Sequence, residues 1–184
     1  MQAAASKQDI RLHQMTALGI GLTIEPELDE IADLNRYWHS KCVEGVIPDR
    51  SAINPRDIVR HMPYLIIADV FEGGADFRIR LFGTALTQLI GENRTGKWLS
   101  EFGGAAASPE DRARIRGRWL VMTQRAFEMR EPVMLKAQMQ ADRSQFLTAH
   151  AFVAPLRNGA SEVAQMIGAM YAVSHVTRER WAHR

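Results

Sequence analysis

The chain of 184 residues has a single cysteine, Cys42, and little excess charge of either sign. One thiol cannot form a disulfide within the chain, which is typical of a reducing compartment, so we expect a cytoplasmic protein. The formal net charge of +2 gives no general attraction to nucleic acid or to a membrane surface, and neither is expected as a partner. The apolar run 163–173 is far too short to cross a bilayer and indicates a buried strand instead.

Motifs for catalysis and metal binding are also missing from the sequence. The six histidines are scattered, and no two of them show the H-x-x-x-H spacing of a zinc site. No G-x-S-x-G nucleophile elbow and no paired-carboxylate motif is present. The sequence therefore predicts a binding protein without a metal site rather than an enzyme.

The segment 91–98, GENRTGKW, comes close to the phosphate-loop pattern G-x-x-x-x-G-K-[ST]. A working phosphate loop follows a buried strand, opens a long helix and places a hydroxyl after the lysine to hold magnesium. Here a short amphipathic helix precedes the segment, and Trp98 stands in the place of the hydroxyl. We therefore interpret Gly91 as the end of that helix and Gly96 as the start of the next segment, with Trp98 packed in the core.

Hydrophobic periodicity predicts the order of helices and strands. Apolar residues at three- and four-residue spacing predict a helix from Glu27 that Gly45 ends, and Asn54 followed by proline predicts the start of a second, short helix. Apolar and alternating runs predict five strands, and capping signals predict two further helices. The predicted strands are 64–71, 77–81, 133–140, 145–156 and 162–174, and the two further helices are 85–90 and 108–129.

Short connections between the predicted strands favour antiparallel pairing, and the Asn158-Gly159 pair is typical of a hairpin turn. The helices between the second and third strands must cover one sheet face. The sequence therefore predicts an α+β fold with a five-stranded antiparallel sheet, helices covering one face, and an N-terminal amphipathic helix. The expected divisions are a flexible arm 1–26, a helical extension 27–60, a main domain 61–176 and a charged tail 177–184.

Five local motifs follow one another along the chain. They are LNRYWHSK (34–41), IPDRSAINPRDI (47–58), MPYLIIADV (62–70), FRIRLFGTAL (77–86) and GENRTGKWL (91–99). Together they resemble a bacterial family of small single-domain PAS-like proteins, long catalogued as a domain of unknown function. The resemblance covers about residues 28–174 and implies a sensory or scaffolding fold without an attached catalytic module. It also implies a regulatory protein that signals through contacts with protein partners.

The PAS-like fold implies haem and flavin as cofactors to consider. A haem requires a histidine on the helices that cover the sheet, and the segment 108–129 contains none. A covalently bound flavin requires a cysteine in the helices of the middle of the domain, whereas Cys42 lies on the predicted N-terminal helix. The sequence favours neither cofactor and leaves an unidentified small ligand open.

Large side chains of the later elements either line a cavity between the sheet and its helices or fill an ordinary core. These pocket candidates are Trp119, Met122, Phe127, Met134, His150, Phe152, Met166 and Met170. A ligand held by such side chains would be small and apolar or amphipathic. His150 has a second interpretation, as a hydrogen-bonded structural histidine.

Two surfaces are further candidates for binding. Arg112 and Arg116 share one edge of the predicted helix 108–129, which is either a solvated face or a docking site for an acidic protein or an anionic nucleotide messenger. The apolar residues Leu28, Ile31 and Trp38 pack either on their own domain or on a second copy, which would form a homodimer. The leading hypothesis is a PAS-like regulatory binding protein, and the alternative is a receptor for the nucleotide messenger.

Overall fold

The computed structural model describes residues 20–23, 26–103, 108–142, 145–159 and 161–174. The strands are β1 (Ile20–Thr23), β2 (Leu65–Phe71), β3 (Asp76–Phe82), β4 (Val133–Asp142), β5 (Gln145–Arg157) and β6 (Val163–Ser174). They form one six-stranded sheet in the order β1-β4-β5-β6-β2-β3. Every neighbouring pair is antiparallel.

Helices and 3₁₀ turns cover the two faces of this sheet. Within the described residues they are α1 (Asp29–Ser40), α2 (Thr84–Ile90) and α3 (Pro109–Met129), with 3₁₀ turns at Arg50–Ala52, Val59–Tyr64, Glu72–Gly74 and Leu99–Glu101. α2 ends at Gly91, whose φ of +79° is a left-handed conformation that suits a residue without a Cβ. None of the described helices is long and apolar enough to span a membrane.

The cross-strand register divides the sheet into two faces. Lys136, His150 and Tyr171 are direct neighbours across β4, β5 and β6 and therefore share one face. Lys136 forms an ion pair of 2.5 Å with Glu27, just before α1, so this face lies beneath α1. We call it the outer face. Side chains alternate between the two faces along each strand, so the residues in between, such as Met166, lie on the opposite face, which we call the inner face.

The apolar stripe of α1 holds this helix on the outer face. Ile31, Leu34 and Trp38 are buried and follow the spacing of one helix face. The Trp38 Nε1–H donates a 2.9 Å hydrogen bond to the carbonyl of Pro155 in β5. α1 therefore belongs to the same hydrophobic core as the strands and is not a separate extension.

The chain that follows α1 is fixed to the end of β5. Arg157 donates its backbone N–H to the carbonyl of Pro48 and its Nε–H to the carbonyl of Ile47, each at 2.9 Å. Asp49 forms a parallel bridge with the same arginine. The residues after α1 thus run alongside β5 as a short parallel extension.

α2, α3 and the segment between them cover the inner face. Two glycines allow neighbouring elements to approach each other closely. A Cβ at Gly74 would lie 2.4 Å from the ring of Phe127, and a Cβ at Gly83 would lie 2.2 Å from the backbone carbonyl of Pro63. Both positions therefore require a residue without a side chain.

The α+β fold with its antiparallel sheet is confirmed, and all five predicted strands are present within two residues of their expected bounds. β1 is a sixth strand, and it comes from the segment 1–26 that was expected to be a flexible arm. No helix begins at Asn54, whose Oδ1 instead accepts the N–H of Arg56 at 3.1 Å in a turn. The rest of the predicted arm (1–19 and 24–25) and the predicted tail 177–184 lie outside the described residues.

Candidate functional site

A small apolar cavity lies between the inner face and α3. Its volume is about 20 Å³, which is room for about one water molecule. The residues that bound it come from strands β2, β3, β5 and β6, from α3 and from the 3₁₀ turn Leu99–Glu101. They include Ala68, Ile79, Trp119, Met122, Val153 and Met166.

Two methionines give this cavity adjustable walls. Met122 on α3 and Met166 on β6 are each 1% exposed. Their unbranched thioether side chains have several rotatable bonds and can repack around a guest. The Thr123 hydroxyl donates to the carbonyl of Trp119 at 2.8 Å and is satisfied within α3. The cavity therefore has an apolar lining that includes two flexible side chains.

The structure brings half of the predicted pocket residues to this cavity. These are Trp119, Met122, Phe152 and Met166. Phe127 lies further along α3, against Phe77, with the ring centroids 6.4 Å apart. Met170 is buried on the inner face of β6.

The structure corrects the predicted placement of Met134 and His150. The register pairs Met134 with Phe152 and His150 with Lys136, which puts both on the outer face beneath α1. They therefore lie on the face opposite the cavity. Phe152 shares their parity, yet it borders the cavity beside Gly168, where a Cβ would lie 3.1 Å from the Phe152 carbonyl.

A flavin or a haem does not fit this cavity as it is packed. Ligand pockets commonly enclose roughly 300–1,000 Å³, against about 20 Å³ here. Cys42, the one thiol in the chain, follows α1, with its Sγ 3.7 Å from the carbonyl of Trp38. No cluster of three or more histidine, cysteine or acidic side chains that could hold a metal occurs in the described part of the chain.

The segment 91–98, which resembles a phosphate loop, is an extension of the sheet edge. The Gly96 N–H donates to the carbonyl of Ile79 at 2.8 Å, and the Ile79 N–H donates to the carbonyl of Lys97 at 2.9 Å. The Lys97 ammonium forms an ion pair with Glu92. The lysine that would grip a phosphate is thus already paired, which agrees with a structural role for this segment.

Trp98 was predicted to pack in the core, and this prediction is wrong. The residue lies at the edge of the sheet. Its side chain is half-buried, and its ring is 4.8 Å from that of Phe71, centroid to centroid. The Arg78 guanidinium lies over the same ring at 5.9 Å. Trp98 therefore covers the exposed end of the β2–β3 hairpin.

Arg94, in the turn of this segment, is a candidate that the sequence did not reveal. Its side chain is only 5% exposed, and its Nε has no hydrogen-bond partner in the described structure. The guanidinium lies over the ring of Phe102, 4.4 Å from the centroid. It also forms a loose ion pair with Glu92, at 3.4 Å. Burial lowers the pKa of Arg94, and Glu92 opposes that shift.

One arginine of α3 contacts the sheet, and two others are exposed to solvent. Arg118 donates from its guanidinium to the carbonyl of Gln138 at 2.9 Å. Arg112 and Arg116 are exposed. Their exposure is compatible with a solvated helix face and with an anion-docking site, so the nucleotide messenger stays a prediction.

The apolar stripe of α1 packs on its own domain, which was one of the two alternatives. Ile31 and Trp38 are buried against the sheet, and Leu28 is half-buried just before the first turn. A second copy cannot use Ile31 or Trp38 while α1 is docked. The homodimer stays a prediction.

A buried polar cluster joins the outer face to the 3₁₀ turn Val59–Tyr64. The His61 Nε2 accepts from the Arg60 Nε–H at 3.1 Å, so Nδ1 carries the proton and donates to the Tyr171 hydroxyl at 2.6 Å. The Tyr64 ring stacks on that of Tyr171, with centroids 4.5 Å apart. Burial and then the Arg60 charge lower the pKa of His61, so its imidazole is neutral at pH 7.

Comparison with known proteins adds the family. A family model described as PAS domain matches residues 28–171. No curated protein matches the chain. The PAS domain from Bordetella pertussis BvgS is 16% identical over 71% of this chain and 96% of that one, with a TM-score of 0.49. The dark structure of the blue-light photoreceptor Aureochrome1 LOV is 18% identical over 73% and 91%, with a TM-score of 0.43. An RNA-binding light-oxygen-voltage receptor is 19% identical over 76% of this chain and 37% of its own length, with a TM-score of 0.44.

Proposed function

This chain belongs to the PAS-domain family, and we propose that it is a sensory and regulatory domain whose output is contact with partner proteins. Its input is a small apolar or amphipathic ligand held between the inner face and α3. The family is typically sensory and non-catalytic, which supports a role in binding. The methionine-walled cavity supports the ligand class.

One observation carries this proposal: the cavity and α1 contact opposite faces of the same strand. Val153 of β5 lines the cavity on the inner face. Two residues further on, the carbonyl of Pro155 accepts the hydrogen bond from Trp38 of α1. A shift of β5 that makes room for a ligand would therefore move the surface on which α1 packs.

The proposed mechanism is a population shift between two positions of α1. A ligand moves such an equilibrium only to the extent that it binds one state more tightly than the other. The cavity has room for about one water molecule, so a larger guest requires the walls to move. The guest then favours the state in which β5 and α1 have rearranged.

Release of α1 is the proposed route to partner contact. An α1 that leaves the outer face bares Ile31, Leu34 and Trp38, which are buried in the docked state. A bared apolar stripe of this spacing packs on a partner helix or on a second copy of the chain. In this proposal the regulatory partner and the homodimer use the same surface.

Filling the cavity by mutation tests this coupling. Ala68→Val adds methyl groups at the cavity wall, and Ala149→Val is a matched control on the inner face of β5, outside the cavity lining. We expect amide hydrogen exchange across residues 31–38 to change about fivefold in Ala68→Val, as a shift of roughly 1 kcal/mol would give. Unchanged exchange in Ala68→Val, or equal changes in both variants, would contradict the coupling.

Native mass spectrometry of freshly purified protein tests the input and the oligomeric state together. We expect a retained small molecule and a ligand-dependent dimer. A bare monomer that stays monomeric in Ala68→Val would contradict both the retained ligand and the dimer.

A further inference from the structure

The buried guanidinium of Arg94 lacks a full set of partners. Its side chain is 5% exposed and its Nε is unpaired within the described residues. The Glu92 oxygen at 3.4 Å is beyond the usual length of a charge-assisted hydrogen bond. A buried charge is costly unless it is paired and hydrogen-bonded, and such a group in a native protein commonly meets a water or a ligand.

An aromatic path connects this charge to the cavity. The Arg94 guanidinium lies 4.4 Å from the centroid of the Phe102 ring. Phe102 meets Trp119 edge to face, with centroids 5.9 Å apart. Trp119 in turn lines the cavity. Two packed aromatic side chains therefore link the guanidinium to the wall of the cavity.

We propose that Arg94 anchors the carboxylate of a slender amphipathic ligand whose apolar chain lies along Phe102 and Trp119 and ends in the cavity. A guanidinium is suited to this role because its planar fork binds a carboxylate through two parallel hydrogen bonds, which the unpaired Nε–H can join. The inference rests on the proposed function for the existence of a ligand. It adds that the ligand carries a negative charge and that Arg94 binds this charge.

Glu92 supports this assignment because its carboxylate stands in for that of the ligand. One oxygen of Glu92 is near Arg94 at 3.4 Å, and the other forms the ion pair with Lys97. The Glu92 side chain is 37% exposed, so it can leave the guanidinium at small cost. After the exchange, Glu92 keeps Lys97 and the ligand takes Arg94, and no charge is left unpaired.

Calorimetric titration with hexanoate and hexanamide tests the anchor, because the two probes share the chain and differ in charge. We expect the wild-type protein to bind hexanoate about tenfold more tightly than hexanamide, as one charge-assisted hydrogen bond gives. Arg94→Gln should remove that difference. The matched control Arg112→Gln, at an exposed arginine of α3, should keep it.

A second variant keeps the test valid if Arg94→Gln does not fold. Glu92→Gln leaves Arg94 in place and removes the competing carboxylate, so hexanoate should bind several-fold more tightly while hexanamide is unaffected. Equal affinity for both probes overturns the anchor and leaves the proposed cavity function standing. Loss of hexanoate binding in Arg112→Gln also overturns it. Binding of neither probe overturns it too, and the hydrogen exchange of Ala68→Val then decides the proposed function independently.

Discussion

Replacement of Trp38 by phenylalanine tests whether α1 is an integral part of the folded domain. The indole is 4% exposed, and its Nε1–H reaches the carbonyl of Pro155 at 2.9 Å. Phenylalanine removes the donor and leaves this carbonyl without its partner. It also leaves a void where the second ring of the indole was.

The two losses can be added as an order of magnitude. A buried acceptor left without its donor costs about 1–3 kcal/mol. The void adds a cost that grows with its volume, and it stays below that of a full truncation to alanine, which is about 3–5 kcal/mol. We expect the free energy of unfolding to fall by about 2–3 kcal/mol in Trp38→Phe.

Urea unfolding followed by circular dichroism measures this change. The midpoint should fall while the slope stays constant, because α1 shares one core with the sheet and unfolds with it. Arg36→Gln is the control on the same helix, because Arg36 is 74% exposed and its ion pair with Asp33 is worth under about 0.5 kcal/mol. A loss below about 0.5 kcal/mol in Trp38→Phe, or a reduced slope, would refute the view that α1 is docked cooperatively.

Two further predictions concern His61 and Gly83. The pKa of His61 is lowered by burial and by Arg60, against Glu30, so the folded state binds fewer protons than the unfolded chain. Its contribution to stability is therefore complete above about pH 6.5 and is lost as the pH falls through the lowered pKa. Unfolding titrations between pH 8 and 5, about the usual range of histidine, should show this loss, and His61→Asn should flatten it; equal slopes in both proteins would contradict the assignment. Gly83→Ala forces a Cβ to within 2.2 Å of the Pro63 carbonyl and should destabilise by about 1–3 kcal/mol. It should cost more than Gly91→Ala, where only the positive φ is strained; the reverse order in thermal melts would show that the backbone at Gly83 yields.

The fold was largely predictable because its signals are local. The spacing of Ile31, Leu34 and Trp38 marks one helix face whatever that face packs on. Glycine at 91 and the Asn-Gly pair at 158–159 mark chain reversals through their own backbone preferences. β1 gave no such signal, because four residues are too short to show a period and gain their order from pairing with β4.

The candidate site was less predictable because it depends on which sheet face each side chain occupies and on contacts between residues far apart in the sequence. Met134 and His150 lie in apolar strands that are buried on both faces, and such strands do not show which side chains point toward α3. Arg94 stands in a polar turn, where an arginine is ordinarily exposed. Its burial follows from Phe102, which only the folded chain brings beneath the guanidinium.

The chain on each side of α1 is hydrogen-bonded to the sheet. Beyond its carboxyl end the chain is fastened to β5 through Arg157, and before its amino end β1 is fastened to β4. Both segments that flank the helix are therefore attached to the sheet. β1 is the edge strand of the sheet that the described residues form, and it pairs with β4 through four residues. A partner that adds a strand at this edge would therefore bind next to the segment that leads into α1.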